Sequence, residues 1–232
     1  MWDNHALLRN IANTLFALSA LAILYGAIYY TVHLPNLFPI QSVRLSSAPA
    51  RVVASEVLQV VRSEVRGNFF TVDIDRVRRS VEKLPWVRKV SIRREFPNRL
   101  VMEVEEHLAL AHWNNGALVN QQGEVFVATS EQVLPSFIGP DEASHEVTEQ
   151  YAQLNQQLAT LNLQATQLAL SPRHAWQVRL SNEMVLELGR EDMQQRLARF
   201  VTVYPYSIAA MNMKYVDLRY PNGFAVSSAV KS

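Results

Sequence analysis

The chain has no cysteine among its 232 residues. That excludes thiol nucleophiles, disulfide frameworks and cysteine-based metal sites. Glycine is scarce, with seven residues, and none of them composes a phosphate-binding loop. Net charge is almost nil: 22 basic against 21 acidic residues leave +1, so composition alone points to no polyionic partner. No convincing repeat or low-complexity tract is present.

Catalytic and metal-binding patterns are also missing or fail on inspection. Ser80-Val81-Glu82-Lys83 has the Ser-x-x-Lys spacing of penicillin-binding enzymes. None of the four lysines begins a Lys-Thr-Gly, Ser-Asp-Asn is missing, and the tetrad reads as ordinary helix. His107 and His112, near Glu103, Glu105 and Glu106, are competent zinc ligand types. An odd separation places the two histidines on opposite sides of a regular strand, which favours solvated charge. Asp73 and Asp75 suit helix caps better than ligands. The expectation is a non-enzyme without cofactor or metal.

Charge is wholly absent from Ile11 to Val32, a stretch rich in Leu, Ala and Ile. A bilayer core of roughly 30 Å needs about 20 such residues as a helix, so 11–32 is expected to span a membrane. Tyr25, Tyr29 and Tyr30 mark one end, and Pro35 and Pro39 stop the helix. The run exceeds a signal-peptide core and has no small-residue cleavage pattern near its end, which favours an uncleaved anchor. Flanking arginines, Arg9 against Arg44 and Arg51, do not decide its orientation.

The strongest folding signal lies between Gly67 and Trp113. Asp73 or Asp75 can cap a helix carrying Ile74, Val77 and Val81, which ends at Leu84-Pro85. From Val87 the period becomes two, with Val90, Ile92 and Phe96 on one face. Leu100, Met102, Val104, Leu108 and Leu110 repeat it after Pro97, with Glu103, Glu105 and His107 opposite. A loop of Pro97 to Arg99 pairs Phe96 with Leu100, Ile92 with Val104 and, on the wet face, Arg93 with Glu103. Upstream, Ile40–Leu45 reads as a strand and Ala54–Val65 as a helix with Val57, Leu58 and Val61 inward. The basic cluster Arg76, Arg78, Arg79, Lys83, Arg88, Lys89, Arg93 and Arg94 is read first as a charged surface, ahead of lipid or protein contact and of nucleic acid.

After Trp113 a second pattern begins. Asn114-Asn115-Gly116 marks a turn, Leu118–Asn120 and Val125–Ala128 are short strands, and Phe137 to Pro140 leads into a helix over 146–161. That helix places Val147, Tyr151, Leu154, Leu158 and Leu161 inward and its Gln and Asn residues toward water. Strands follow at Gln164–Leu170, Trp176–Leu180 and Met184–Leu188. A helix over Asp192–Tyr204 is closed by Pro205. The last hairpin is Lys214–Tyr220, Pro221-Asn222-Gly223 and Phe224–Val226, with Gly223 in the left-handed position of a three-residue loop. Phe224–Val226 is then the final strand, and an uncovered edge is a template for a strand of another protein.

Strand, helix, helix, strand, strand is the order of a POTRA domain. The phrases FPIQSVRL (Phe38–Leu45), GNFFTVDI, LPWVRKVSIRREFPNRL and AHW, with LGREDMQQRLARF (Leu188–Phe200) and YVDLRYPNG (Tyr215–Gly223), resemble the FtsQ/DivIB family of bacterial cell division. The resemblance covers nearly the whole folded part. It implies an α+β protein with a cytoplasmic tail (1–10), a transmembrane helix (11–32), a POTRA domain (38–113), a mixed β-sheet domain with packed helices (114–228) and a tail (229–232). It further implies a single-pass inner-membrane protein, periplasmic domains, enrichment at the septum and a role linking early and late division proteins. FtsB and FtsL are the implied partners, with further divisome membrane proteins. The implied partner-binding residues are Arg173, Arg219, Tyr220, Gly223, Phe224 and Val226. Ser227 and Ser228 stand where relatives can carry a tryptophan. The alternative is a POTRA-bearing chaperone or secretion component that holds clients by strand addition.

Overall fold

The computed structural model describes residues 5–34, 37–211, 213–221 and 223–228. Pro35 as a helix stop, Asn222 in the last turn and the 229–232 tail lie outside the described residues. The first helix, α1, runs His5–His33 and contains the expected span. Its apolar stretch Leu7–His33 is long enough to cross a membrane, and none of it is buried against the rest of the chain. Beyond this, the chain divides into two compact units, 1–106 and 107–232.

The first unit contains β1 (Ser42–Leu45), α2 (Ala54–Glu64), α3 (Ile74–Val81), β2 (Val87–Glu95) and β3 (Arg99–Glu106). The sheet order is β1-β3-β2, with β1 parallel and β2 antiparallel to β3. Asp73 is the cap of α3: its side chain accepts from the Arg76 N–H at 2.9 Å. Val57, Val61, Val77 and Val81 are fully buried over Val90 and Met102. Burying each such side chain contributes about 1.5–3 kcal/mol, so the helices are held by this valine layer more than by intrinsic propensity.

The hairpin register differs from expectation by two residues. Ile92 pairs with Met102, Val90 with Val104 and Glu95 with Arg99, so the loop is Phe96-Pro97-Asn98. A two-residue slip keeps every side chain on its face, which is why the facing was legible and the register was not. Phe96 consequently sits in the loop at 71% exposure rather than in the core. Arg93 faces Val101, which β1 flanks with Arg44 on the other side.

β3 also stops earlier than the continuous alternation suggests. Ala109–Trp113 forms β4, which pairs with strands of the second unit, so Leu108 and Leu110 do not extend the hairpin. His107 is buried rather than solvated. Its ring stacks on Phe126 at 4.1 Å, and Nδ1 lies 2.9 Å from Asn120 Nδ2.

The second unit contains β5 (Ala117–Asn120), β6 (Val125–Phe126), β7 (Ser136–Ile138), α4 (Ser144–Leu158), β8 (Ala165–Leu170), β9 (Trp176–Leu180), β10 (Val185–Gly189), α5 (Met193–Val203), β11 (Tyr215–Asp217) and β12 (Ala225–Ser227). The strands order as β12-β11-β10-β9-β8-β7-β4-β5-β6. β7 was not expected as a strand; its three residues pair with parallel neighbours on both sides, β4 and β8. Phe137, Leu154, Leu158, Leu168, Val178, Leu186, Leu197, Phe200 and Val216 share one core.

Two further expectations are corrected. The glutamines of α4 do not all face water: Gln150, Gln153 and Gln157 hydrogen-bond to Gln194 of α5. Pro205 does not close α5, because a π-type turn, Tyr204–Ile208, and a 3-10 turn, Ala209–Met211, follow it. A proline in the first turn of a helical segment lacks only an N–H that would have no intrahelical partner there.

Candidate partner-binding edge

The outermost strand, β12, pairs antiparallel with β11: Tyr215 with Ser227, Val216 with Val226, and Asp217 with Ala225. Among the described residues, no strand covers its other side. Alternate backbone N–H and C=O groups of such a strand point outward and accept a further strand. The hairpin is shorter and its loop longer than expected, and Gly223 has no left-handed φ. No tight three-residue turn forms there, so no positive φ is required.

Row by row, β12 continues the face pattern of the sheet. Val178, Leu186, Val216 and Val226 lie in one cross-strand row on the core face. Val226 is 39% exposed at the end of that row. Phe224 packs against the same core, partly buried. An added strand would therefore meet an apolar strip beside Phe224 and Val226 on one face only. On the other face the row is Gln177, Glu187, Asp217 and Ala225.

Asp217 is 6% exposed, and Arg219 closes over it in a two-pronged ion pair, Nε–Oδ1 2.9 Å and Nη2–Oδ2 2.6 Å. The hydrogen bond to Asp217 raises the guanidinium pKa further above its ordinary range, so Arg219 stays charged. Burial, then the charges of Glu187 and Asp217, push the Tyr215 phenol up and keep it neutral. Tyr220, 55% exposed, follows in the loop with its ring available to a partner.

Sequence reasoning missed Arg199. From α5 its Nη2 donates to the carbonyls of Tyr220 at 3.1 Å and Leu218 at 3.4 Å, and its Nη1 donates to Pro221. One side chain thus pins the loop that leads into β12. Arg196, three residues earlier, holds the Leu188 carbonyl at 2.6 Å. The i,i+3 arginines of α5 were the available signal, since that spacing puts both on one helix face. Gly189 is required between Arg196 and Arg219: at φ +73° a Cβ would lie 2.7 Å from Arg196 Nη1 and 3.0 Å from Arg219 Cγ.

Arg173 is exposed in the β8–β9 turn, just before Trp176. Trp176 pairs with Gly189, and β11 runs parallel to β10, so that turn and the 218–224 loop share one end of the sheet. Three strand spacings, about 14 Å, separate β9 from β12. The structure thus brings Arg219, Tyr220, Gly223 and Phe224 together, continues them along the edge with Val226, and sets Arg173 farther along the same end. Among the described residues no group of three His, Asp or Glu could hold a metal ion.

One helix long and apolar enough to cross a membrane, a β-α-α-β-β unit and a mixed sheet whose last strand is uncovered among the described residues define a protein of the POTRA-containing class. The POTRA domain of FtsQ type matches residues 38–107, and the C-terminal domain of cell division protein FtsQ/DivIB matches 111–219. The cell division protein FtsQ of Nitrosospira multiformis is 45% identical over 97% of this chain and 98% of its own length. That of Burkholderia pseudomallei is 37% identical over 99% and 95%. That of Escherichia coli is 36% identical over 70% of this chain and 63% of its own. The chain belongs to the FtsQ/DivIB family of cell division proteins.

Proposed function

We propose that this protein is a divisome assembly component that binds the periplasmic segments of FtsB and FtsL by adding a strand to β12. Its tail is cytoplasmic, α1 crosses the inner membrane, and the units 38–106 and 107–228 work in the periplasm at the septum. The observation that carries the binding mode is the uncovered edge of β12, with Phe224 and Val226 extending the core row on one face. FtsB takes the edge, and Tyr220 and Arg173 contact it at the loop end of the sheet.

Capture of FtsB from solubilised membranes by the tagged full-length protein tests the mode. Val226→Asp and Tyr220→Ala should each weaken capture about tenfold or more, the loss of about 1.4 kcal/mol typical of a contact that matters. Unchanged capture by both variants, with both units still folded, would refute strand addition at β12. A reporter active only in the cytoplasm, fused after Ser228, should be silent if the topology is right.

A further inference from the structure

The end of the first unit nearest α1 is unusually apolar. Phe38 and Phe70 are each 44% exposed, Phe96 is 71% exposed and Leu37 is 41% exposed. They come from three separate loops, yet their rings form one chain through buried Phe69: Phe38–Phe70 5.3 Å, Phe69–Phe70 5.2 Å and Phe69–Phe96 6.1 Å. Backbone bonds hold the loops together, Phe69 N–H to the Phe38 carbonyl and Gln41 N–H to the Asn98 carbonyl, each 2.9 Å. Three half-bare phenyl rings facing water are unfavourable unless something covers them.

What lies beside them is the end of α1. The last carbonyls of a helix have no intrahelical donor. Here the fully buried Asn68 supplies one, its Nδ2 donating to Val32 at 2.6 Å and Leu34 at 3.0 Å. Asn68 Oδ1 in turn accepts from the Phe70 and Thr71 N–H groups and the Thr71 hydroxyl, each at 3.0 Å. Gly67, at φ +94°, leaves no room for a Cβ, which would lie 2.7 Å from Thr71 Oγ1. The loop that carries Phe69 and Phe70 is therefore tied to the exit of the apolar helix itself.

We propose that Phe38, Phe70 and Phe96 are seated in the lipid interface of the bilayer that α1 crosses, a contact that rests on reading α1 as membrane-spanning. The continuity of the patch with that helix commits the occupant to lipid. Phenyl rings suit the boundary between headgroups and acyl chains, where apolar faces enter by about 5–10 Å. Exposed Arg66 and Arg99 stand in the same loops and strand ends, where they meet headgroup phosphates, while Arg94 beside them donates to the Val72 carbonyl at 2.9 Å, and Glu95 opposite Arg99 is the acidic neighbour in the hairpin end. The unit is thereby held upright on the membrane by two attachments, the helix and the phenyl edge.

The absence of cysteine makes the test direct. Single variants Phe70→Cys, Phe96→Cys, Leu18→Cys and Glu56→Cys of the full-length protein are labelled with an environment-sensitive fluorophore and reconstituted into phosphatidylethanolamine–phosphatidylglycerol vesicles. Nitroxide is carried either on the lipid headgroup or deep in the acyl chain. Each variant is melted first, and Leu37→Cys replaces Phe70→Cys or Phe96→Cys if either does not fold. Expected is loss of emission with headgroup nitroxide at 70 and 96, loss with deep nitroxide at 18, and none at 56, which lies at the opposite end of α2. Quenching at 18 with 70 and 96 as bright as 56 overturns the membrane-seated edge and leaves the spanning helix standing. No quenching at 18 overturns the spanning reading, and the proposal falls with it.

Discussion

Glu106 is the last residue of β3, and its carboxylate gathers the backbone of the chain that enters α2. Oε1 accepts from the Arg51 and Val52 N–H groups at 2.8 and 2.6 Å, and Oε2 from Ala50 at 2.9 Å. Burial pushes its pKa up, but the three N–H donors, helped by the Arg51 charge, outweigh burial and hold it below the ordinary glutamate value. A depressed folded-state pKa adds stability above the unfolded pKa of about 4.3, and that stability is lost as pH falls through the folded value. Glu106→Gln should therefore lower the melting temperature of the first unit at pH 7, by the equivalent of roughly 1–2 kcal/mol. That is the low end for charged hydrogen bonds, since water still reaches the group. Melting from pH 7 down to about pH 3 checks it. The difference from wild type should shrink below about pH 4.3, and a constant gap would contradict the account. Residue detail also decides which variants report on binding. Arg219 makes a two-pronged ion pair with the buried Asp217, so removing its side chain takes two charged hydrogen bonds from that carboxylate and perturbs β11 itself, whereas Tyr220 is exposed. Losses at Arg219 therefore mix fold with contact.

At the scale of elements, the β2–β3 register yields a sharp test. Glu95 pairs with Arg99, whereas Arg93 and Glu103 face Val101 and Ser91. A double-mutant cycle on Glu95 and Arg99 should give a coupling of about 0.2–1 kcal/mol, reduced by salt, and one on Arg93 and Glu103 should give close to none. The reverse result would restore the register with Ile92 opposite Val104. What the sequence could and could not reveal follows from such geometry. Helices α2 to α5 were legible because apolar residues recur every three or four positions, and β9 because Trp176, Val178 and Leu180 alternate. Register was not, because two slips of equal parity keep the same faces. β7 was not, because three residues carry no period and its pairing to β4 and β8 is non-local. The parallel pairing of β11 with β10 was hidden by the intervening α5. At the candidate edge, the existence of a final strand pairing back on its predecessor was legible, but its bounds and turn were not, since it runs Ala225–Ser227 rather than Phe224–Val226. The Arg199 clamp and the Asp217–Arg219 pair were not, since both depend on which side chains the sheet brings together.

At the scale of the whole molecule, each unit carries its own complete hydrophobic core. Val57, Val61, Val77, Val81 and Val90 belong to one, and Leu158, Leu186, Leu197 and Phe200 to the other, with no buried residue in common. Hydrophobic stabilisation is local to the area removed from water, so damage to one core should stay in it. Leu186 is fully buried at the centre of the second core, on the strand next to β11. Leu186→Ala should cost about 2–5 kcal/mol there by lost transfer energy and the cavity left behind. In Val57→Ala the first core loses part of a side chain that is likewise fully buried. In calorimetry of the soluble fragment 38–228, the first substitution should lower one unfolding transition and the second the other. If both substitutions shift one common transition by similar amounts, the two units unfold as one and separate cores do not mean separate stability. The outcome bears on binding as well. With independent units and the binding proposed above at β12, Leu186→Ala should weaken FtsB capture by loosening the sheet that presents that strand, while Val57→Ala at equal thermal cost should leave capture intact.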